Sequence, residues 1–164
     1  MSILSREELC QQLEGSHSRW EELIRHVDPN LEIYPGWTLR QLLAHLTGWD
    51  ENTLATLTAH QDPKAPEASP AEDFDEFNAR AVSARDAMDF AAIVQEWRST
   101  RTKLVSLLRE MPDESYRRTL VASWGETLNV SGLVQVFIGH EASHAGDIQK
   151  WLEDPSRPLG KKGN

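Results

Sequence analysis

Four stretches of the chain repeat apolar residues every three or four positions, and the strict alternation of a strand is nearly absent. The first carries Leu9, Leu13, Trp20, Leu23, Ile24 and Val27 behind a capping box, Ser5 followed by Glu8, and "DPN" at 28–30 stops it. A second box, Thr38 with Gln41, opens the next stretch, which aligns Leu39, Leu42, Leu43, Leu46, Trp49 and Leu57 up to about His60. Asp89 caps the third, with Ile93, Val94, Trp97, Leu104, Leu107, Leu108 and Met111 on one face before Pro112 and Asp113. The fourth runs from about Asn129 to Glu153 through Leu133, Val136, Phe137, Ile148 and Trp151. A helix with one apolar stripe must bury it against another element, so four such helices predict an all-α four-helix bundle.

The connections refine this fold. "QDPKAPEASPAED", residues 61–73, holds three prolines and no apolar period, and predicts a loop. With the weaker helical segment 74–85 behind it, the link between helices two and three is long enough for a crossover. "YRRTLVASWGETLN", residues 116–129, reads as irregular or extended. At 164 residues the chain fits a single domain, assigned to 1–155, with 156–164 as a flexible tail that holds the basic cluster "RPLGKKGN".

Charge and cysteine usage narrow the function classes. A net charge of −9, from 26 acidic and 17 basic side chains, repels phosphate backbones and argues against nucleic acid as a partner. Cys10 is the only cysteine, so no internal disulfide forms; a reducing, cytoplasmic location is expected. It sits beside the apolar stripe of helix one with no histidine at helical neighbour spacing, which reads as an inert thiol. No apolar run suits a signal peptide or a membrane span. The chain has six tryptophans, which recur inside the apolar helical stripes, so core packing is their expected role.

One stripe is interrupted. "GHEASHAGD", residues 139–147, places His140 and His144 on the same face as Leu133, Phe137, Ile148 and Trp151. Side chains one turn apart start about 6 Å from each other and can converge on one ion at ~2.0–2.1 Å per nitrogen. His45, in "LRQLLAHLTGWD", lies between Leu42 and Trp49 on helix two and is the candidate third ligand. Bundle cores build metal sites in this way, from side chains that point inward on facing helices. Three histidines with a position left open for water or substrate is the arrangement of catalytic zinc. The competing interpretation, three hydrogen-bonded core histidines, must bury three imidazoles at considerable cost. His17, His26 and His60, near polar faces or helix ends, are expected to be solvated, and Asp50 and Glu51 to be surface charge.

The string H-E-x-x-H is also the zinc-protease signature, but its context here is wrong. A metzincin needs Gly and His three and six residues beyond the second histidine, where this chain has Asp147 and Lys150. Glu153, the downstream glutamate, falls at the end of the same helix, and no strand precedes the motif. Glu141 lies about 60° from the centre of the stripe. From there it could reach metal-bound water as a general base, serve behind the ligands, or project to solvent.

The chain resembles the DinB-like superfamily of metal-dependent four-helix-bundle enzymes. The likeness is carried by "GWTLRQLLAHLTGWD" and "GHEASHAGDIQKWL", and more loosely by "DEFNAR" and "LREMPDE". It implies a divalent metal, zinc or nickel, on His45, His140 and His144, a long connection between helices two and three, and a homodimer. Relatives in that superfamily include thiol-dependent S-transferases and a mycothiol-dependent isomerase. The resemblance thus implies a metal-dependent transferase or hydrolase of a small molecule, with bacillithiol, mycothiol or glutathione as a possible thiol cosubstrate. Glu141 and Asp147 are then the candidate base or orienting groups. A departure bears on substrate transfer: Ala145-Gly146-Asp147 stands where many members have Arg-Gly-Gln. Two alternatives stay open, a metal- or ligand-binding stress protein without turnover and a structural dimerisation bundle.

Overall fold

In the computed structural model, residues 3–62, 64 and 73–154 are described. Ser5 accepts from the Glu8 backbone N–H at 3.3 Å and the Glu8 carboxylate accepts from the Ser5 N–H at 2.9 Å, so the capping box opens α1 (Arg6–His26). The chain then makes a short antiparallel hairpin, β1 (Glu32–Tyr34) with β2 (Trp37–Thr38), that sequence periodicity did not predict. Gly36 takes the turn at φ 78°, a left-handed conformation open to glycine without a Cβ clash. Thr38 and Gln41 form the second capping box at the start of α2 (Leu39–Gln61).

Asp73 caps α3 (Phe74–Ser83), and Asp89 caps α4 (Phe90–Glu110). A short α5 (Asp113–Arg117) leads into a second hairpin, β3 (Thr119–Val121) with β4 (Thr127–Asn129), where an irregular or extended segment was expected. Asn129 then accepts from the Gly132 N–H and starts α6 (Val130–Glu153). The four long helices fall within about a residue of the sequence expectation. Most of the predicted 61–73 loop, and the predicted tail 156–164, lie outside the described residues.

The dominant pairings are α2 with α4 and α1 with α6, and α1–α4 and α2–α6 contacts close the ring. Consecutive helices α1 and α2 therefore face each other across the bundle. Helix α3 rides on the outside of α2. There a Cβ on Gly48 would stand 2.5 Å from the Ala81 Cβ, so the close approach requires the glycine. Among the described residues no helix is long and apolar enough to cross a membrane.

Two apolar cores fill the bundle. One gathers Leu9, Leu13, Leu57, Leu104, Leu108, Leu133 and Phe137; the other gathers Trp20, Leu23, Leu42, Leu46, Trp97 and Ile148. Trp20 and Trp97 are fully buried, each such side chain stabilising the fold by roughly 1.5–3 kcal/mol or more.

Between the cores lies a polar layer to which every long helix contributes. Arg101 of α4 donates through Nη2 to both carboxylate oxygens of Asp50 on α2, at 2.9 Å each, and also to Glu141 of α6. Ser16 of α1 donates to the other Glu141 oxygen at 2.6 Å. Arg101 is 1% exposed and Asp50 and Glu141 are 2% each. The expectation of Asp50 as surface charge is thereby overturned, and so is the solvent orientation considered for Glu141. Glu51 does face outward, paired with Arg85 at 2.7 Å.

Candidate metal centre

Helix α6 holds His140 and His144 one turn apart, and α2 presents His45 from the facing wall. The His45 and His140 Nε2 atoms lie 3.3 Å apart, and those of His140 and His144 lie 2.9 Å apart. One ligand atom from each of the three falls within 4.8 Å of the others, and no further residue joins this group among those described. The rings stand nearly perpendicular to one another, at 71–89°, so their edges rather than their faces meet.

Ligands at ~2.0–2.1 Å in a tetrahedral shell are about 3.3 Å from each other, so the nitrogen spacing fits a small divalent ion. The donor set of three imidazoles suits a first-row divalent ion such as zinc, copper, iron or nickel. His45 and His144 are buried at 1% and 2% exposure, while His140 is half-buried at the open edge.

A residue missed by sequence reasoning orients His144. The Tyr34 hydroxyl on β1 lies 2.8 Å from His144 Nδ1 and donates to Asp147 Oδ2 at 2.9 Å. Because its proton is committed to the carboxylate, the phenol accepts from Nδ1–H, which leaves the Nε2 lone pair turned to the centre. Burial, then the hydrogen bond to Asp147 and its charge, push the Tyr34 pKa well above the ordinary phenol range, so this donor stays protonated. Asp147 thus reaches the triad through Tyr34. No sequence periodicity announced this tyrosine; the only signal was a lone aromatic before a Pro-Gly turn. The Trp37 ring stands edge-on to His45, with centroids 5.4 Å apart.

Replacing Tyr34 with phenylalanine keeps the ring and removes the partner of Nδ1. We expect zinc affinity to fall by about 10–100-fold, read by competition with a chromogenic chelator. An unchanged affinity would mean that the hydroxyl does not set the histidine.

The other sequence candidates fall elsewhere. The Glu141 carboxylate is engaged by Arg101 and Ser16 in the polar layer. His26 is exposed and pairs with Glu22 at 2.8 Å. His17 is less solvated than expected: its ring packs on Trp97 at 4.4 Å, with Nε2 3.2 Å from Glu21. His60 sits half-buried with Nε2 2.9 Å from the Ser115 carbonyl oxygen, and burial lowers its pKa. Cys10 is buried, with its thiol pKa raised by desolvation, and takes no part.

The His45–His140 edge opens onto a cavity of about 230 Å³. A helical bundle whose facing helices converge three imidazoles beside a cavity belongs, by architecture and donor set, to the bundles built to hold a metal. Residues 32–148 match the DinB superfamily, and the chain belongs to it.

No curated protein matches this chain. Among solved structures it is similar to YfiT from Bacillus subtilis, described as "a probable metal-dependent hydrolase with an unusual four-helix bundle topology". That likeness has 17% identity and a TM-score of 0.74, over 95% of this chain and 90% of the other. It is also similar to the mycothiol-dependent maleylpyruvate isomerase, at 18% identity and a TM-score of 0.73. There the match covers 90% of this chain and 63% of the isomerase, so the chain spans less than two thirds of that protein. At such identities the likeness establishes the four-helix fold.

Proposed function

We propose that this protein is a metal-dependent enzyme acting on a small molecule, with a zinc or nickel ion held by His45, His140 and His144. The observation that carries the proposal is the convergence of three imidazole edges at one end of a cavity. An ion bound there supplies Lewis acidity, lowering the pKa of a water or a thiol so that a nucleophile exists near neutral pH. Thiol-dependent S-transfer and hydrolysis are the two reactions this favours, the first with bacillithiol, mycothiol or glutathione as cosubstrate.

The side chains of the site divide the work. Tyr34 and Asp147 hold His144 in one tautomer and one orientation. Trp49 and Phe137 wall the cavity and keep water from its inner side. Glu141, bound to Arg101 and Ser16, fixes the rotation of α6 and with it the direction of its neighbour His140. We assign both carboxylates positioning roles, since a general-base role for Glu141 would require it to leave Arg101.

The test is metal content by mass spectrometry on untagged protein beside the His45→Ala, His140→Ala, His144→Ala triple variant. About one zinc or nickel per chain is expected, and none in the variant. No metal in either protein after loading with zinc, nickel and manganese would remove the proposal. The thiol branch is checked separately with each thiol and monochlorobimane. A rate no higher than that of His144→Ala would exclude those thiols.

A further inference from the structure

The walls of the cavity beside the triad are aromatic. Trp49 of α2 lies 5.7 Å from Phe137 of α6 and 5.7 Å from Phe74 of α3, and Trp124 of the β3–β4 turn lies 5.9 Å from Phe137. Among the described residues, no lysine, arginine, aspartate or glutamate lines it. Apart from the histidine edges and the indole N–H groups, its polar group is the side-chain amide of Asn78, itself only 4% exposed.

The Trp49 indole N–H lies 3.0 Å from Asn78 Oδ1. An indole nitrogen only donates, so the amide must turn its oxygen to Trp49 and its NH2 away. No oxygen among the described residues accepts from that NH2. The residue is buried but its NH2 is not sealed from solvent, so with no protein acceptor its donors are left for one that an occupant brings.

Size narrows the occupant further. An apolar cavity of roughly 150 Å³ takes up benzene, so about 230 Å³ holds one ring and a small substituent. Ring faces and edges on several sides favour a flat π-system, which can stack or meet them edge to face. A charged ring would shed its hydration with no opposite charge among the described wall residues to replace it.

We propose that this cavity binds a single uncharged aromatic ring carrying a hydrogen-bond acceptor for the Asn78 amide, and turns the ring's substituent toward the histidine triad. Turnover of such a compound rests on the metal-dependent reading above; its binding does not. The substrate class is then a neutral aromatic carbonyl compound or amide rather than a phosphate or a free acid.

The experiment is a ¹⁹F NMR titration of the full chain, zinc-free and zinc-loaded, with 4-fluorobenzamide, 4-fluorobenzoate and fluorobenzene. Saturable binding of the benzamide is expected in both forms, with the benzoate at least about tenfold weaker on the zinc-free chain, where no ion can attract it. Val136 is a half-buried lining residue, so Val136→Phe fills the space while keeping Asn78 in the chain, and should abolish binding of all three probes. Asn78→Leu should weaken the benzamide by about tenfold and leave fluorobenzene unchanged, with thermal unfolding confirming that the variant folds.

No saturable benzamide binding, binding that survives Val136→Phe, or equal affinity for the benzoate on the zinc-free chain would each overturn the proposal. Zinc content is measured on the same samples. A chain that holds zinc and ignores the ring loses this inference alone, whereas one that takes the ring and no zinc keeps the cavity and loses the metal reading.

Discussion

An Arg101→Met chain is expected to be less stable than the wild type by about 3–5 kcal/mol, measured as the change in unfolding free energy in urea. Methionine fills much of the arginine volume, so the loss comes from charge rather than from a void. Arg101 is the cation shared by Asp50 and Glu141, and all three are at most 2% exposed. Removing it strands two carboxylates in the interior, where an unpaired ion is far more costly than on the surface. The deficit should depend on pH. Burial already raises the Asp50 pKa, with Arg101 opposing that rise, so the variant moves it further up. A carboxyl with a raised folded-state pKa contributes stability below its unfolded value and loses it as pH rises through the folded one. The variant should therefore be nearest to wild type in mild acid and furthest from it at neutral pH and above. Changing Asp50 and Glu141 to leucine together with Arg101→Met should recover most of the loss, because an all-apolar layer leaves no charge unpaired. A deficit below about 1 kcal/mol, the size of an exposed pair, would mean that water reaches the layer.

That layer was written in the sequence and passed over. Leu13, Ser16 and Trp20; Leu46, Asp50 and Thr53; Trp97, Arg101 and Leu104; Phe137, Glu141 and His144 each follow the same three-four spacing. The middle residue of each trio is polar and holds an inward position, in phase with the inward residues on either side of it. Read one helix at a time, such a residue looks like a gap in a stripe or a surface charge. Only the pairing of four helices shows that the gaps fall at one level and satisfy one another.

The histidines were legible for a related reason. His140 and His144 sit in a stripe one turn apart, and His45 interrupts another, so position and residue type agreed before any packing was known. Tyr34 was not legible. A three-residue strand is too short to show alternation, and its hydroxyl matters only because the hairpin lies against α6. The aromatic cavity was hidden in the same way, since its walls come from α2, α3, the second hairpin and α6. Helix lengths and caps are local properties; this cavity is a property of their meeting.

Zinc or nickel should raise the melting temperature of the wild-type chain by about 5–16 °C at concentrations 100 to 1,000 times its Kd. A ligand that binds only the native state stabilises it by about 2.7 kcal/mol at the lower ratio and 4.1 kcal/mol at the higher. For a domain of this size each kcal/mol moves the midpoint by roughly 2–4 °C. The ion must displace protons from the imidazoles it binds, so the shift should shrink as pH falls through the imidazole range, near 6.5 for a free side chain. His144→Ala should remove most of the shift at neutral pH, because it deletes a ligand and leaves Tyr34 and Asp147 with nothing to orient. A shift of full size in that variant would place the ion elsewhere, with the acidic surface implied by the −9 net charge as the first suspect. No shift in either protein with any of the metals would leave three core histidines that hydrogen-bond to one another, and the cavity beside them would then need a function that owes nothing to an ion.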